Sequence, residues 1–183
     1  MKKALVIIAL VATVAGACTK QALRTTYDKQ ITVIESFITA QMKADSTATL
    51  TRNQGAYRLT LHDTLDVNRD SLMYGGQLTW DYACYILSSA SVSSSNLVAT
   101  NLEKVAIGAG WELSDSLQFH PVTLTLDNTL LNGLQMGLQG VQPQDEGYIL
   151  FTGEFGYGNI ERGTIPAKSA LAYHYWIHSI SND

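Results

Sequence analysis

Four histidines, two cysteines, a serine-rich run and a glycine-rich loop are the parts of this 183-residue chain that could carry reactive chemistry. His62, His120, His174 and His178 have no metal-ligand spacing with carboxylates or cysteines, so no metal centre and no cofactor are expected. His174 and His178 are four apart in a predicted strand, which puts both on one face. Tyr173 and Tyr175 alternate to the other face, read as the inner one, so the histidines are expected to face solvent. The serines of 88–95 lack the Gly-x-Ser-x-Gly setting of a hydrolase nucleophile. Gly153-Glu-Phe-Gly-Tyr-Gly158 is followed by no Lys-Ser/Thr pair and sits in no parallel-sheet pattern, so it is not a phosphate loop. Cys84 lies in an apolar strand pattern and reads as buried and inert. The formal net charge is −4, an acidic balance that argues against a nucleic-acid partner.

The N-terminus carries a different chemistry. Lys2 and Lys3 precede an apolar run from Ala4 to Ala15 that is too short for a stable span. Ala15-Gly16-Ala17 then meets Cys18, an arrangement that resembles a bacterial lipobox. The resemblance implies that Cys18 is diacylated and becomes the first residue. The protein would then be lipid-anchored in the cell envelope, at the outer membrane, facing the periplasm or the surface. The other reading is an ordinary secretory signal with a chance cysteine after the cut. A lipidated Cys18 could not pair with Cys84, so no internal disulfide would form. The expected division is a signal peptide over 1–17, a tether and N-terminal amphipathic helix over 18–55, and one globular domain over 56–183.

Residues 19–24 read as a polar tether. Tyr27, Ile31, Ile34, Ile38 and Met42 recur at helical spacing. This stripe packs on its own domain in one reading and forms a homodimer through residues 27–42 in the other. Residues 45–54 are polar and Thr-rich and predict a loop. Strands are predicted over 56–61, over 77–87 with Leu78, Trp80, Tyr82 and Cys84 on one face, over 122–126, over 148–152 and over 170–180. Residues 101–110 allow a helical turn ended by Gly108 and Gly110. A short helix begins near Thr129 with Leu130, Leu131, Leu134 and Leu138 on its apolar face and Gly140 as its stop. Many strands with one short helix before the last hairpin give an α+β pattern, a curved, mostly antiparallel sheet wrapped on that helix, with an N-terminal helix added.

Three segments narrow that pattern. Leu130-Leu-Asn-Gly-Leu-Gln-Met-Gly-Leu-Gln-Gly-Val141, Phe155-Gly-Tyr-Gly158 and Gly163-Thr-Ile-Pro-Ala-Lys-Ser-Ala-Leu-Ala-Tyr173 follow in the order and spacing of the FKBP-type peptidyl-prolyl cis-trans isomerases. The similarity spans roughly residues 75–180 and is strongest from Val122 onward. It implies an FKBP-like fold and isomerase activity on X-Pro bonds of exported proteins, with proline-containing polypeptides as clients.

The resemblance also implies a site. Tyr82 looks like the family's first pocket tyrosine and Tyr157 its second, with Ile165 in the Ile-Pro turn; these three would be the catalytic set. Val98, Val122, Leu124, Leu130, Leu131, Leu134 and Tyr173 would bind substrate, with the backbone of Leu130 and Leu131 meeting it. Two positions depart from the family: its pocket aspartate is Ala99 here, and its floor tryptophan is Leu134. The departures imply weakened catalysis, and Trp111 is the nearest indole in the motif order. The second functional reading is therefore a non-catalytic FKBP-like binding or chaperone module of the envelope, and the third a structural subunit of a surface complex.

Overall fold

The structure is a computed structural model that describes the backbone of residues 2–61, 69–113 and 119–183, and side chains from residue 20 onward. His62, most of the charged connection over 62–70 and the Cys18 side chain lie outside the described residues. The element order is α1 (Lys2–Ala44), β1 (Thr49–Asn53), β2 (Ala56–Leu61), β3 (Gln77–Ile86), a 3-10 turn (Ser94–Asn96), β4 (Leu97–Thr100), α2 (Glu103–Gly108), β5 (Val122–Thr125), α3 (Asn132–Leu138), β6 (Glu146–Phe151) and β7 (Leu171–Ser181).

All strands join one antiparallel sheet in the order β1-β2-β6-β7-β3-β4. β5 shares the outer edge of β3 with β4: β5 pairs with Gln77–Trp80 and β4 with Ala83–Tyr85. The gap between them would leave backbone groups of β3 unpaired at a buried edge, which is costly. The carboxamide of Asn101, 4% exposed, fills it. Its Oδ1 accepts from Tyr82 N–H at 2.7 Å, and its Nδ2 donates to Trp80 O (3.1 Å), His120 O (2.7 Å) and Asp81 Oδ1 (2.9 Å).

Alternation in the strands gives the sheet two apolar faces, each covered by one helix. On the concave face Trp80, Cys84, Ile149, Phe151, Leu171, Tyr173, Tyr175 and Ile177 pack with Leu134 and Leu138 of α3. On the convex face Leu59, Tyr148, Leu150 and Ala172 pack with Ile34, Phe37 and Ile38 of α1. Phe37 meets the Tyr148 ring edge-on, with centroids 4.9 Å apart. A seven-residue helix such as α3 is unstable alone, so its neighbours hold it. Gly133 and Gly137 bring its backbone down onto the sheet: a Cβ there would stand 2.2 Å from Phe151 Cγ and 2.2 Å from Ile149 Cγ2. Arg58 Nη1 donates to the α3 carbonyls of Gly137 (3.3 Å) and Gln139 (2.7 Å), and Gly140 ends the segment at φ +82°.

Several expectations are corrected. Residues 45–54 are not all loop: Thr49–Asn53 is the edge strand β1, whose polar composition suits its exposure. Residues 19–24 are helical, continuous with the rest of α1, rather than an extended tether. The apolar stripe of α1 divides, with Ile34 and Ile38 buried, Phe37 added, and Ile31 (38%) and Met42 (41%) exposed. His174 does not face open solvent. It lies on the convex face between the rings of Tyr148 and Trp176, with centroids 4.3 Å and 3.9 Å away, and its Nε2 meets Glu146 Oε1 at 3.1 Å. Burial pulls its pKa below the ordinary value against the upward pull of Glu146. His178, which is exposed, pairs with Asp81 at 2.8 Å. Among the described residues no helix is long and apolar enough to cross a membrane.

Candidate functional site

β3 and β7 lie side by side with Tyr82 opposite Tyr175 and Cys84 opposite Tyr173. Alternation puts Trp80, Tyr82, Cys84 and Tyr173 on the concave face, and their rings stack. Trp80 lies 4.9 Å from Tyr82 and 6.2 Å from Tyr173, Tyr82 lies 6.1 Å from Tyr173, and Phe151 lies 6.0 Å from Tyr173. Val98, Ala99, Leu124, Leu130, Leu131, Phe155 and Tyr157 pack, half-buried, against the core cluster to which these rings belong, and Leu134 and Ile165 are buried members of it. The structure therefore brings together Tyr82, Val98, Leu124, Leu130, Leu131, Leu134, Tyr157, Ile165 and Tyr173. Val122 stands apart: it is 39% exposed on β5 and outside the cluster.

The polar groups of the cluster are phenols and one thiol. The Tyr173 hydroxyl and the Cys84 thiol lie close enough to influence each other's titration. Burial pushes Cys84 up to about 12, and burial again, with Cys84 and the phenols of Tyr157 and Tyr82 nearby, holds Tyr173 well above the usual phenol value. Tyr82 is raised by burial, then by Cys84 and Tyr157. The phenols of Tyr82, Tyr157 and Tyr173 thus lie within electrostatic reach of one another. The raised groups stay protonated at neutral pH, so they are donors rather than bases. Ala99 pairs with Cys84 across β3 and β4, so the place of the family's aspartate carries no acceptor. The Tyr82 hydroxyl has no partner among the described residues.

Ile165, expected in the catalytic set, has no free backbone donor. Its N–H donates to Arg162 O at 2.8 Å, and Arg162 N–H donates back at 3.0 Å, closing the Ile-Pro turn on itself. Leu131 at the N-cap of α3 is different, because the first N–H groups of a helix have no intrahelical acceptor. The indole of the cluster comes from the sheet, not from the helix and not from Trp111, which is 37% exposed after α2. Trp80 is 2% exposed and its Nε1–H has no partner. Trp80 and Leu134 thus stand as large sheet residue against small helix residue. Trp80, Cys84, Phe151 and Phe155 are the members sequence reasoning missed. Alternation had already placed Trp80 and Cys84 beside Tyr82, and that was the available signal.

One cleft of about 180 Å³ lies between Asn53, Tyr74, Gln135 and Gln139, and others run along α1. The phenols of Tyr82 and Tyr173 lie where the rings stack, with Tyr157 in electrostatic reach of both.

No protein-family model and no curated protein sequence matches the chain. Solved structures do. The crystal structure of FkpA from Escherichia coli is similar over 96% of this chain and 70% of that one, at 12% identity and a TM-score of 0.54. The N-terminal domain of FKBP42 from Arabidopsis thaliana is similar over 75% of this chain and 94% of that one, at 13% identity and a TM-score of 0.51. The three FKBP domains of wheat FKBP73 match over 75% of this chain and 51% of that one, at 14% identity and a TM-score of 0.54. With the sheet order and the helix on its concave face, these likenesses establish that the fold is FKBP-like.

Proposed function

We propose that the chain is a weakened peptidyl-prolyl cis-trans isomerase, held in the cell envelope by lipid on Cys18 and acting on X-Pro bonds of exported polypeptides. The observation that carries this reading is the convergence of Tyr82, Tyr157 and Tyr173 on an apolar floor beside the N-cap of α3. Rotation about the prolyl bond meets a barrier of about 18–20 kcal/mol because the planar amide is resonance-stabilised. The planar form is more polar than the twisted one, so a dry apolar site disfavours the ground state. A hydrogen bond from the Tyr157 or Tyr82 hydroxyl, or from Leu131 N–H, holds the substrate carbonyl in the twisted geometry. No proton is transferred, and activity should be flat across neutral pH.

A second reading has its own support. Ala99, Leu134 and the closed ring stack favour a binding module that has lost efficient catalysis. A protease-free isomerisation assay on residues 19–183 separates the two. Acceleration that scales with protein concentration and falls in Tyr157→Phe supports the isomerase. Binding of an X-Pro peptide that is lost in Leu131→Lys, with no acceleration, supports the binder. A chain that neither binds nor accelerates leaves both without support.

A further inference from the structure

The loop that carries Tyr157 and Ile165 leaves the sheet after β6 and returns before β7, and its two ends meet at a neck. Gly158 N–H donates to Gly153 O at 2.8 Å, and Lys168 N–H donates to Gly158 O. The approach is close: a Cβ on Gly153 would stand 2.5 Å from Lys168 O. Lys168 adopts φ +63°, a left-handed conformation unfavourable for a residue with a side chain. It persists there only if neighbours hold it.

α1 supplies the holding group. The Gln30 carboxamide accepts from Gly153 N–H through Oε1 at 2.9 Å and donates to Lys168 O through Nε2. One side chain thus spans both ends of the neck with its single acceptor and a donor. The same stretch of helix lies along the loop, with Tyr27 close enough to Glu154 for that carboxylate to help raise its pKa, after burial. The neck in turn reaches the α3 end of the site, since Phe155 O accepts Gly133 N–H at 2.8 Å.

We propose that Gln30 is a positioning residue of the tyrosine site: it clamps the neck of the loop so that Tyr157 is held over Tyr82 and Tyr173. The role rests on the proline-site reading. α1 is then more than a cover for the convex face. It is the element through which an N-terminal anchor or partner could alter the site, because movement of α1 moves Gln30.

The test uses Gln30→Leu and Gln30→Glu in residues 19–183, with Phe37→Ala as a variant that weakens α1 packing without touching the neck. Amide hydrogen exchange and X-Pro peptide affinity are read together. Gln30→Leu should raise exchange at Gly153, Gly158 and Lys168 at least tenfold, leave the β3 and β7 amides unchanged, and weaken peptide binding about tenfold. Gln30→Glu, which keeps the acceptor for Gly153 and removes the donor to Lys168, should weaken binding as well. Phe37→Ala should lower stability yet keep peptide affinity. Equal peptide affinity in wild type and both Gln30 variants overturns the proposal alone, as does a loss of protection spread evenly over β3 and β7. A wild type that binds no proline peptide overturns the functional reading and this role with it.

Discussion

The two faces of the sheet are built from alternate residues of the same strands, yet they settle their polar groups differently. On the convex face three polar side-chain pairs form: His174 with Glu146, His178 with Asp81, and Arg52 with Glu35 at 3.1 Å. The long helix α1 covers part of it with Ile34, Phe37 and Ile38. On the concave face a seven-residue helix leaves donors unspent. Trp80 Nε1 and Arg58 Nε are buried without partners among the described residues. Buried donors without acceptors are rare in native folds and call for an explanation. Under the proposed function, a substrate carbonyl would be one such explanation for the tyrosine cluster, with function on the concave side and stability on the convex.

The comparison breaks first at the two cores. Phe37→Ala should cost about 3–5 kcal/mol and Leu138→Ala about 2–5 kcal/mol, since both side chains are fully buried. Denaturant unfolding measures both. The faces should then part in function: Phe37→Ala keeps peptide binding, and Leu138→Ala, which removes the support of α3, weakens it. Equal functional loss in both would end the division of labour.

Alkaline pH should strike both faces. Cys84 on the concave side and Tyr148 on the convex are each pushed up to about 12 by burial, from ordinary values of 9.0 and 10.0. Between those values the unfolded chain has released protons that the folded chain still holds, so stability falls as pH rises. The loss should begin near pH 9 and deepen toward 12, and Cys84→Ala should remove its earliest part. A pH-independent midpoint from 8 to 11 would contradict this. His174 works at the other end. Its lowered pKa means that stability falls as pH drops through the ordinary histidine value, because the unfolded chain then binds a proton the folded one refuses.

A smaller effect is expected at Thr152. It is 3% exposed and its Oγ1 has no partner. Thr152→Val keeps the shape and removes the orphan hydroxyl, so stability should rise by about 1 kcal/mol. A loss of stability would mean that the hydroxyl is satisfied after all.

Much of this was legible in the sequence where one periodicity dominated. Leu134 and Leu138 announce the buried face of α3, and the alternation of β3 and β7 announces which residues share the concave face. Alternation does not say what covers the other face. His174 was expected in solvent for that reason, whereas Tyr148 and Trp176 flank it and Glu146 caps it. β1 escaped because an edge strand exposed on both sides has no apolar period to read. Tyr82, Leu131, Tyr157, Ile165 and Tyr173 belong to one core cluster, while the pairing of Ile165 N–H within its own turn and the place of Trp80 as the indole of that cluster depend on contacts distant in sequence. Val122 fell out because β5 lies at the sheet edge: it faces the same side as its partner Trp80 but is 39% exposed there. The double hydrogen bond of Gln30 spans more than 120 residues and has no local signal.

The central claim is that the concave tyrosine cluster accelerates prolyl isomerisation through neutral hydrogen-bond donors. Protease-free isomerisation of an X-Pro peptide, measured from pH 6 to 8 for wild type, Tyr157→Phe and Phe37→Ala, tests it most directly. The account predicts catalysis that is flat with pH, about tenfold slower in Tyr157→Phe at unchanged stability, and retained in Phe37→Ala below its unfolding temperature. Catalysis that is absent in wild type at every protein concentration, or untouched in Tyr157→Phe, would contradict it.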